Sequence, residues 1–223
     1  SIRLDLIECD LSQGVGHEIL TALGTAESDG FRTLILWGCS IGYSIGALAS
    51  SIGRCTSLQR VCLPGCSIND GFMRELVPAF GALDNLVDLG LTDNHIGRAG
   101  CEALATLLQD PRCSLRNINL DANYINDDCA AVLAHSLRNN NKLESLSLAN
   151  NQCTITESGW DEFYQALSDT SSINATYLSN HTLKSLMDPS YANEVLPNNI
   201  SRCLEYNRGC RSVKETAMCK ILR

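Results

Sequence analysis

Twelve cysteines and four histidines are the residues here whose chemistry could define a site. Thiols at C-x-x-C spacing would read as a metal or redox motif, but no such pair occurs. Cys62 and Cys66 have a usable interval for zinc. Four residues apart across the end of an extended segment, however, they are expected to face opposite ways, and one zinc ion needs its ligands to converge. His17, His95, His135 and His181 stand far apart, and none is matched in a recognisable motif with a nucleophile or an acid. No phosphate loop and no G-x-G-x-x-G appears. The expectation is a chain without catalytic residues, metal or cofactor, and therefore not an enzyme.

The elements that carry these residues come from a repeat. Leu86, Leu89, Leu91, Asn94 and Ile96 fit L-x-x-L-x-L-x-x-N-x-I. The same frame holds Phe31, Leu34, Leu36, Cys39 and Ile41, then Leu58, Val61, Leu63, Cys66 and Ile68. It recurs at Leu115, Ile118, Leu120, Asn123 and Ile125, and at Leu143, Leu146, Leu148 and Asn151. A truncated first copy offers Leu4, Leu6, Cys9 and Leu11. A degenerate last copy is read at Ile173, Thr176, Leu178, His181 and Leu183. Copies start at 1, 31, 58, 86, 115, 143 and 173. So constant a step is the signature of a stacked repeat.

After each motif, apolar or small residues recur every fourth position, as in Gly100/Leu104/Leu108 and Cys129/Leu133/Leu137. That spacing is one face of a helix. Each unit is thus a short strand, a turn and a helix of about three turns, and neither element can bury its apolar side alone. Pro78 is expected to bend or shorten the third helix. The fold class expected is α/β: a right-handed horseshoe solenoid with a parallel inner sheet, outer helices and a helical C-terminal cap. Seven units fill residues 1–187 and a non-repeat cap fills 188–223. Pro189 and Pro197 break the chain between the two.

These residues resemble the ribonuclease-inhibitor-like class of leucine-rich repeats. The resemblance implies an intracellular, cytoplasmic protein-binding role. Known members include ribonuclease inhibitors, activators of the Ran GTPase and the sensing ends of innate-immune receptors, so a GTPase activator and a receptor's sensor end stand as alternatives to an interaction module or scaffold. The closing stretch, Tyr177 to Leu183 with the run ending Lys220-Ile-Leu-Arg223, is similar to closing segments of repeat proteins in algae and related protists.

Slot nine of the motif, Cys9, Cys39, Cys66, Asn94, Asn123, Asn151 and His181, is expected to point inward as a structural ladder bonding neighbouring backbone. Period-two alternation sends slots three, five and seven to the concave wall. The protein-binding residues expected there are Arg3, Asp5, Ile35, Trp37, Arg60, Asp88, Asn119, Asp121 and Tyr177, with Asp93 just beyond its strand. Trp37 and Arg60 are the residue types that dominate binding hot spots. Asp88, Asp93 and Asp121 would suit a partner with a basic patch. The net charge of −8 argues against a nucleic-acid partner. No apolar run is long enough for membrane insertion. Asn174, Asn180 and Asn199 open N-glycosylation patterns, which chains rich in Asn, Ser and Thr also produce by chance.

Overall fold

A computed structural model describes residues 2–23, 30–187, 196–210 and 212–222. Pro189 and the basic residues Arg211 and Arg223 lie outside the described residues. Strands β1 (Ile2–Ile7), β2 (Phe31–Trp37), β3 (Arg60–Cys62), β4 (Asp88–Gly90), β5 (Asn117–Asn119) and β6 (Ser145–Ser147) form one parallel sheet in sequence order. Helices α1 (Gly14–Leu23), α2 (Ile45–Arg54), α3 (Asp70–Gly81), α4 (Arg98–Gln109), α5 (Asp127–Leu137) and α6 (Glu157–Leu167) alternate with them. Each helix packs on the next, and each crossover returns the chain to the adjacent parallel strand, which makes it right-handed. Helices are wider than strands, so the stack curves into an open α/β horseshoe.

The repeat slots become register. Arg3, Thr33, Arg60, Asp88, Asn117 and Ser145 pair in one row across the sheet. Slots four and six bury their side chains from β2 onward: Leu34, Leu36, Val61, Leu63, Leu89, Leu91, Ile118, Leu120, Leu146 and Leu148. The helical faces meet them from outside, through Leu76, Phe80, Leu104, Leu108, Leu133, Leu137, Phe163 and Leu167. In α1 the face expected to be covered is not: Val15 and Ile19 remain exposed. Pro78 does not end α3, which continues to Gly81 with the proline on its exposed side.

Successive helices are pinned to one another at their starts. The Asp70 carboxylate at the head of α3 accepts hydrogen bonds from Gly97 N (2.7 Å) and Gly100 N (2.9 Å) at the head of α4. A side chain at Gly100 would place its Cβ 2.8 Å from that same oxygen, so the close approach requires glycine there. Asp127 repeats the device two units further on, at the head of α5, accepting from Thr156 N and Oγ1 at the head of α6.

The final unit differs from the expectation. Residues Ile173–Leu178 are a short helix, α7, not a strand. Ser172 starts it by accepting from Ala175 N, the local bond that favours a helix start over extended chain. The strand frame reappears ten residues later. Leu183 and Leu186 are buried, Lys184 N donates to Glu144 O, and Ser185 bridges Ser145. The seventh unit therefore begins at Leu183, and α7 is an insertion ahead of it. Helices α8 (Asn198–Gly209) and α9 (Val213–Ile221) follow, with α8 on α6 and α9 on α7.

Slot eight, between the concave strand and the ladder, is left-handed in all six units. Its occupants are Glu8 (φ 52°), Gly38 (61°), Gly65 (65°), Asp93 (56°), Ala122 (54°) and Asn150 (54°). Glycine adopts this conformation freely, while an ordinary side chain is strained there by roughly 1–2 kcal/mol. Opposite substitutions should therefore have opposite signs. Ala122→Gly is expected to stabilise the fold by about 1 kcal/mol and Gly65→Ala to destabilise it by about as much, read from urea midpoints. Equal signs for the two would remove the conformational account.

Candidate interaction face

The concave wall is built from the outward-facing slots of β1 to β6. At its N-terminal end Ile7 and Trp37 are paired neighbours, 59% and 60% exposed. Pro64 continues their row, bonded through its carbonyl to Gly38 N. Ile35 is half-buried beside them. Arg3 and Asp5 form an exposed ion pair at 2.6 Å. The hydrogen bond from Arg3 holds the Asp5 carboxyl below its usual range. Arg60 bridges strands to Asp88 at 2.7 Å, and that hydrogen bond raises the guanidinium further. Asn117 Nδ2 donates to the other Asp88 oxygen at 2.5 Å. In mid-sheet the missing side chain of Gly90 leaves a hollow of about 320 Å³, lined by Cys62, Asp88, Asn117, Asn119, Ser145 and Ser147. Asn119 points its Oδ1 along the wall, accepting from Thr92 Oγ1 and Asp121 N.

Two expected contacts lie elsewhere. Asp121 is fully buried, and its Oδ1 accepts from Ala149 N at 2.7 Å. Towards the C-terminal strands slot seven turns under the loop, and Ala149 is buried too. Tyr177 sits in α7, off the sheet. Asp88 is occupied by Arg60 and Asn117, so Asp93 is the exposed carboxylate of the acidic set. His181 is not a ladder residue. Its Nε2 faces Tyr177 O and its Nδ1 lies 3.2 Å from Lys220 Nζ. Burial, followed by the Lys220 charge, lowers its pKa and favours the neutral ring.

Five of the other six slot-nine residues show the geometry of a ladder. Cys39 Sγ reaches Leu6 O (3.4 Å) and Cys66 Sγ reaches Leu36 O (3.0 Å). Asn94, Asn123 and Asn151 Nδ2 reach Leu63, Leu91 and Leu120 O. Each step goes to the slot-six carbonyl of the preceding unit. Cys9 instead contacts its own Ile7 O. The asparagines add a second bond, since Asn94 Oδ1 accepts from Ile68 N and Asn123 Oδ1 from Ile96 N.

A second ladder, outside the leucine motif, runs parallel to it. Three residues ahead of a strand's first slot, Cys55 Sγ contacts Leu23 O, Asn140 Nδ2 donates to Leu108 O, and Asn180 Nδ2 donates to Leu137 O. Its signal is the fixed offset of Cys55, Asn140 and Asn180 from Leu58, Leu143 and Leu183. Asn180 is 3% exposed and its amide also donates to Asn140 O, so in the folded chain this nitrogen has no room for a glycan. His95 and Tyr124, one residue past Asn94 and Asn123, stack at 5.7 Å along the loop edge.

Among the described residues no cluster of three or more metal-ligating side chains is found. No helix among them is long and apolar enough to cross a membrane. A larger hollow, about 610 Å³, lies at the C-terminal end against α6, α7, α8 and α9. Its buried Lys220 already donates to Leu167 O and Asn180 O and faces His181, so its ammonium is committed to the fold.

No family model matches the chain. Among curated proteins, it is 33% identical over 156 residues to the NACHT, LRR and PYD domains-containing protein 5 of Mus musculus, covering 68% of this chain and 13% of that protein. It is 31% identical over 112 residues to the ribonuclease inhibitor of Sus scrofa, covering 50% of this chain and 24% of the inhibitor. The NACHT, LRR and PYD domains-containing protein 12 of Mus musculus is 38% identical over 94 residues, 42% of this chain and 9% of that relative. The chain therefore spans less than a quarter of each of these relatives.

Proposed function

Since the chain is a leucine-rich-repeat protein of the ribonuclease-inhibitor-like class, we propose that it is a non-catalytic interaction module that holds a protein partner against the N-terminal half of its concave face. The observation that carries this reading is Trp37. It stands 60% exposed beside Ile7 on a sheet whose other large apolar side chains are mostly buried. Leaving that surface in water is unfavourable, and a partner that covers it recovers the burial. The Arg60–Asp88 pair gives the rim polar donors and acceptors. Ribonuclease inhibitor, by its name, acts on a protein, which supports the same use of the face here. Twelve thiols, among which no disulfide is found, suit a reducing intracellular compartment.

A second reading is favoured by the 156-residue match to a protein with NACHT, LRR and PYD domains. In it, the same face serves as the recognition end of a multidomain receptor. The two readings share the surface and separate on whether the gene also encodes a nucleotide-binding domain.

The test is affinity. A partner recovered with the wild-type chain should bind Trp37→Ala about 30-fold more weakly, the loss of one apolar anchor worth ~2 kcal/mol. Circular dichroism and the melting midpoint should be unchanged, because the indole is outside the core. Equal affinity for the two proteins would move the binding face away from β1 to β3.

A further inference from the structure

The sulfur atoms of Cys210 and Cys219 lie 3.6 Å apart. Both residues are thiols and both are partly exposed. Cys210 caps the C-terminal end of α8, and Cys219 sits in the last turn of α9. Their neighbour Lys220 helps to tie α9 to the rest of the fold. It is 6% exposed and donates to Leu167 O at the end of α6 and to Asn180 O, three residues ahead of Leu183. Cys101 and Cys129 also interact with each other, but both are fully buried between α4 and α5, out of reach of a dissolved oxidant.

We propose that Cys210 and Cys219 are a dithiol–disulfide site whose oxidised form clips α9 to α8 and so locks the C-terminal cap over the last repeat. Sulfur-to-sulfur approach from 3.6 Å to a bond of ~2.05 Å asks for a shift of about 1.5 Å, within the movement of two short surface helices. The oxidant class is a low-molecular-weight disulfide such as oxidised glutathione. One protein thiolate attacks it, its S–S bond breaks and the first glutathione thiolate leaves. The second protein thiolate attacks the resulting mixed disulfide and expels the other. Two protein thiols are oxidised, one glutathione disulfide is reduced to two thiols, and the two protons pass to the departing thiolates.

The experiment uses the full chain equilibrated in glutathione buffers of increasing oxidation, followed by alkylation and peptide mapping. The expected result is a single cross-link, Cys210 to Cys219, with the other ten cysteines alkylated after unfolding. Closing so short a loop should raise the melting midpoint by about 5 °C. Cys219→Ser and Cys210→Ser should each abolish both the cross-link and the oxidant-dependent rise. Absence of the cross-link in wild type, a different pairing, or a cross-link that leaves the midpoint unchanged would each overturn the proposal.

Discussion

Asn123→Ala is expected to lower the unfolding free energy by about 3 kcal/mol, a large loss for one side chain. Asn123 is fully buried. Its Nδ2 donates to Leu91 O at 2.9 Å in the preceding unit and to Leu120 and Asp121 O at 3.1 Å in its own. Its Oδ1 accepts from Ile96 N at 3.0 Å. After truncation the carbonyls keep other donors: Asn94 Nδ2 still reaches Leu91 O, and Asn151 Nδ2 still reaches Leu120 O. The Ile96 N–H loses the partner Asn123 supplied, inside the core. An orphaned buried donor costs about 1–3 kcal/mol, and two lost bonds and a small void add to it.

The molecule holds its own control for this position. Cys66, in the equivalent slot, keeps the back-reaching bond to Leu36 O without a carbonyl oxygen to offer in return. Asn123→Cys should therefore restore about half of what Ala loses. Urea denaturation of the three proteins decides it. A Cys variant no better than Ala would show that the donated bond is worth little, and the Ile96 bond would then account for the whole effect.

Much of this architecture is legible in the amino-acid sequence. Slots four, six and nine could be read because each repeats the same chemistry at nearly the same interval, and register across parallel strands follows from that interval. The exposure of Trp37 was legible by alternation alone. The burial of Asp121 was not, because it depends on how the loop of the next unit lies over slot seven, a contact 28 residues away. The last unit was misplaced because Ile173 to Leu183 satisfies the apolar pattern by coincidence. Only the pairing of Leu183–Leu186 with the Leu143–Leu146 segment separates the two frames. The left-handed slot is visible in Gly38, Gly65, Asp93 and Asn150, residue types that accept it. Glu8 and Ala122 conceal it, since there the stack imposes a conformation their own chemistry disfavours.

Stability should pass through a shallow maximum near pH 9 and then fall steeply. Two kinds of buried group oppose one another. Burial lowers the Lys220 ammonium from 10.5 to about 8, so between those values the unfolded chain binds the extra proton. Stability rises with pH in that window, by about 1.4 kcal/mol per pH unit. The thiols act in the other sense. Burial pushes Cys66 up to about 11 from 9.0 and raises Cys39, Cys55, Cys62 and Cys113. The bond between Cys101 and Cys129 raises the one and lowers the other, so the contributions of that pair oppose each other. In the other five the folded state keeps protons that the unfolded chain releases above 9.0. Their contribution is complete below that pH and disappears as pH climbs through the folded values. Cys66 alone is worth about 3 kcal/mol across that interval, so several such thiols outweigh Lys220. Denaturation curves in a phosphine reductant from pH 7 to 11 should show the rise and then the fall. Lys220→Met should reduce the rise below pH 9, leaving the part that the lowered Cys129 supplies, and leave the descent above it. A wild-type profile that stays flat to pH 11 would mean that the thiols ionise in the folded state as they do in water, and that the solenoid core is open to solvent.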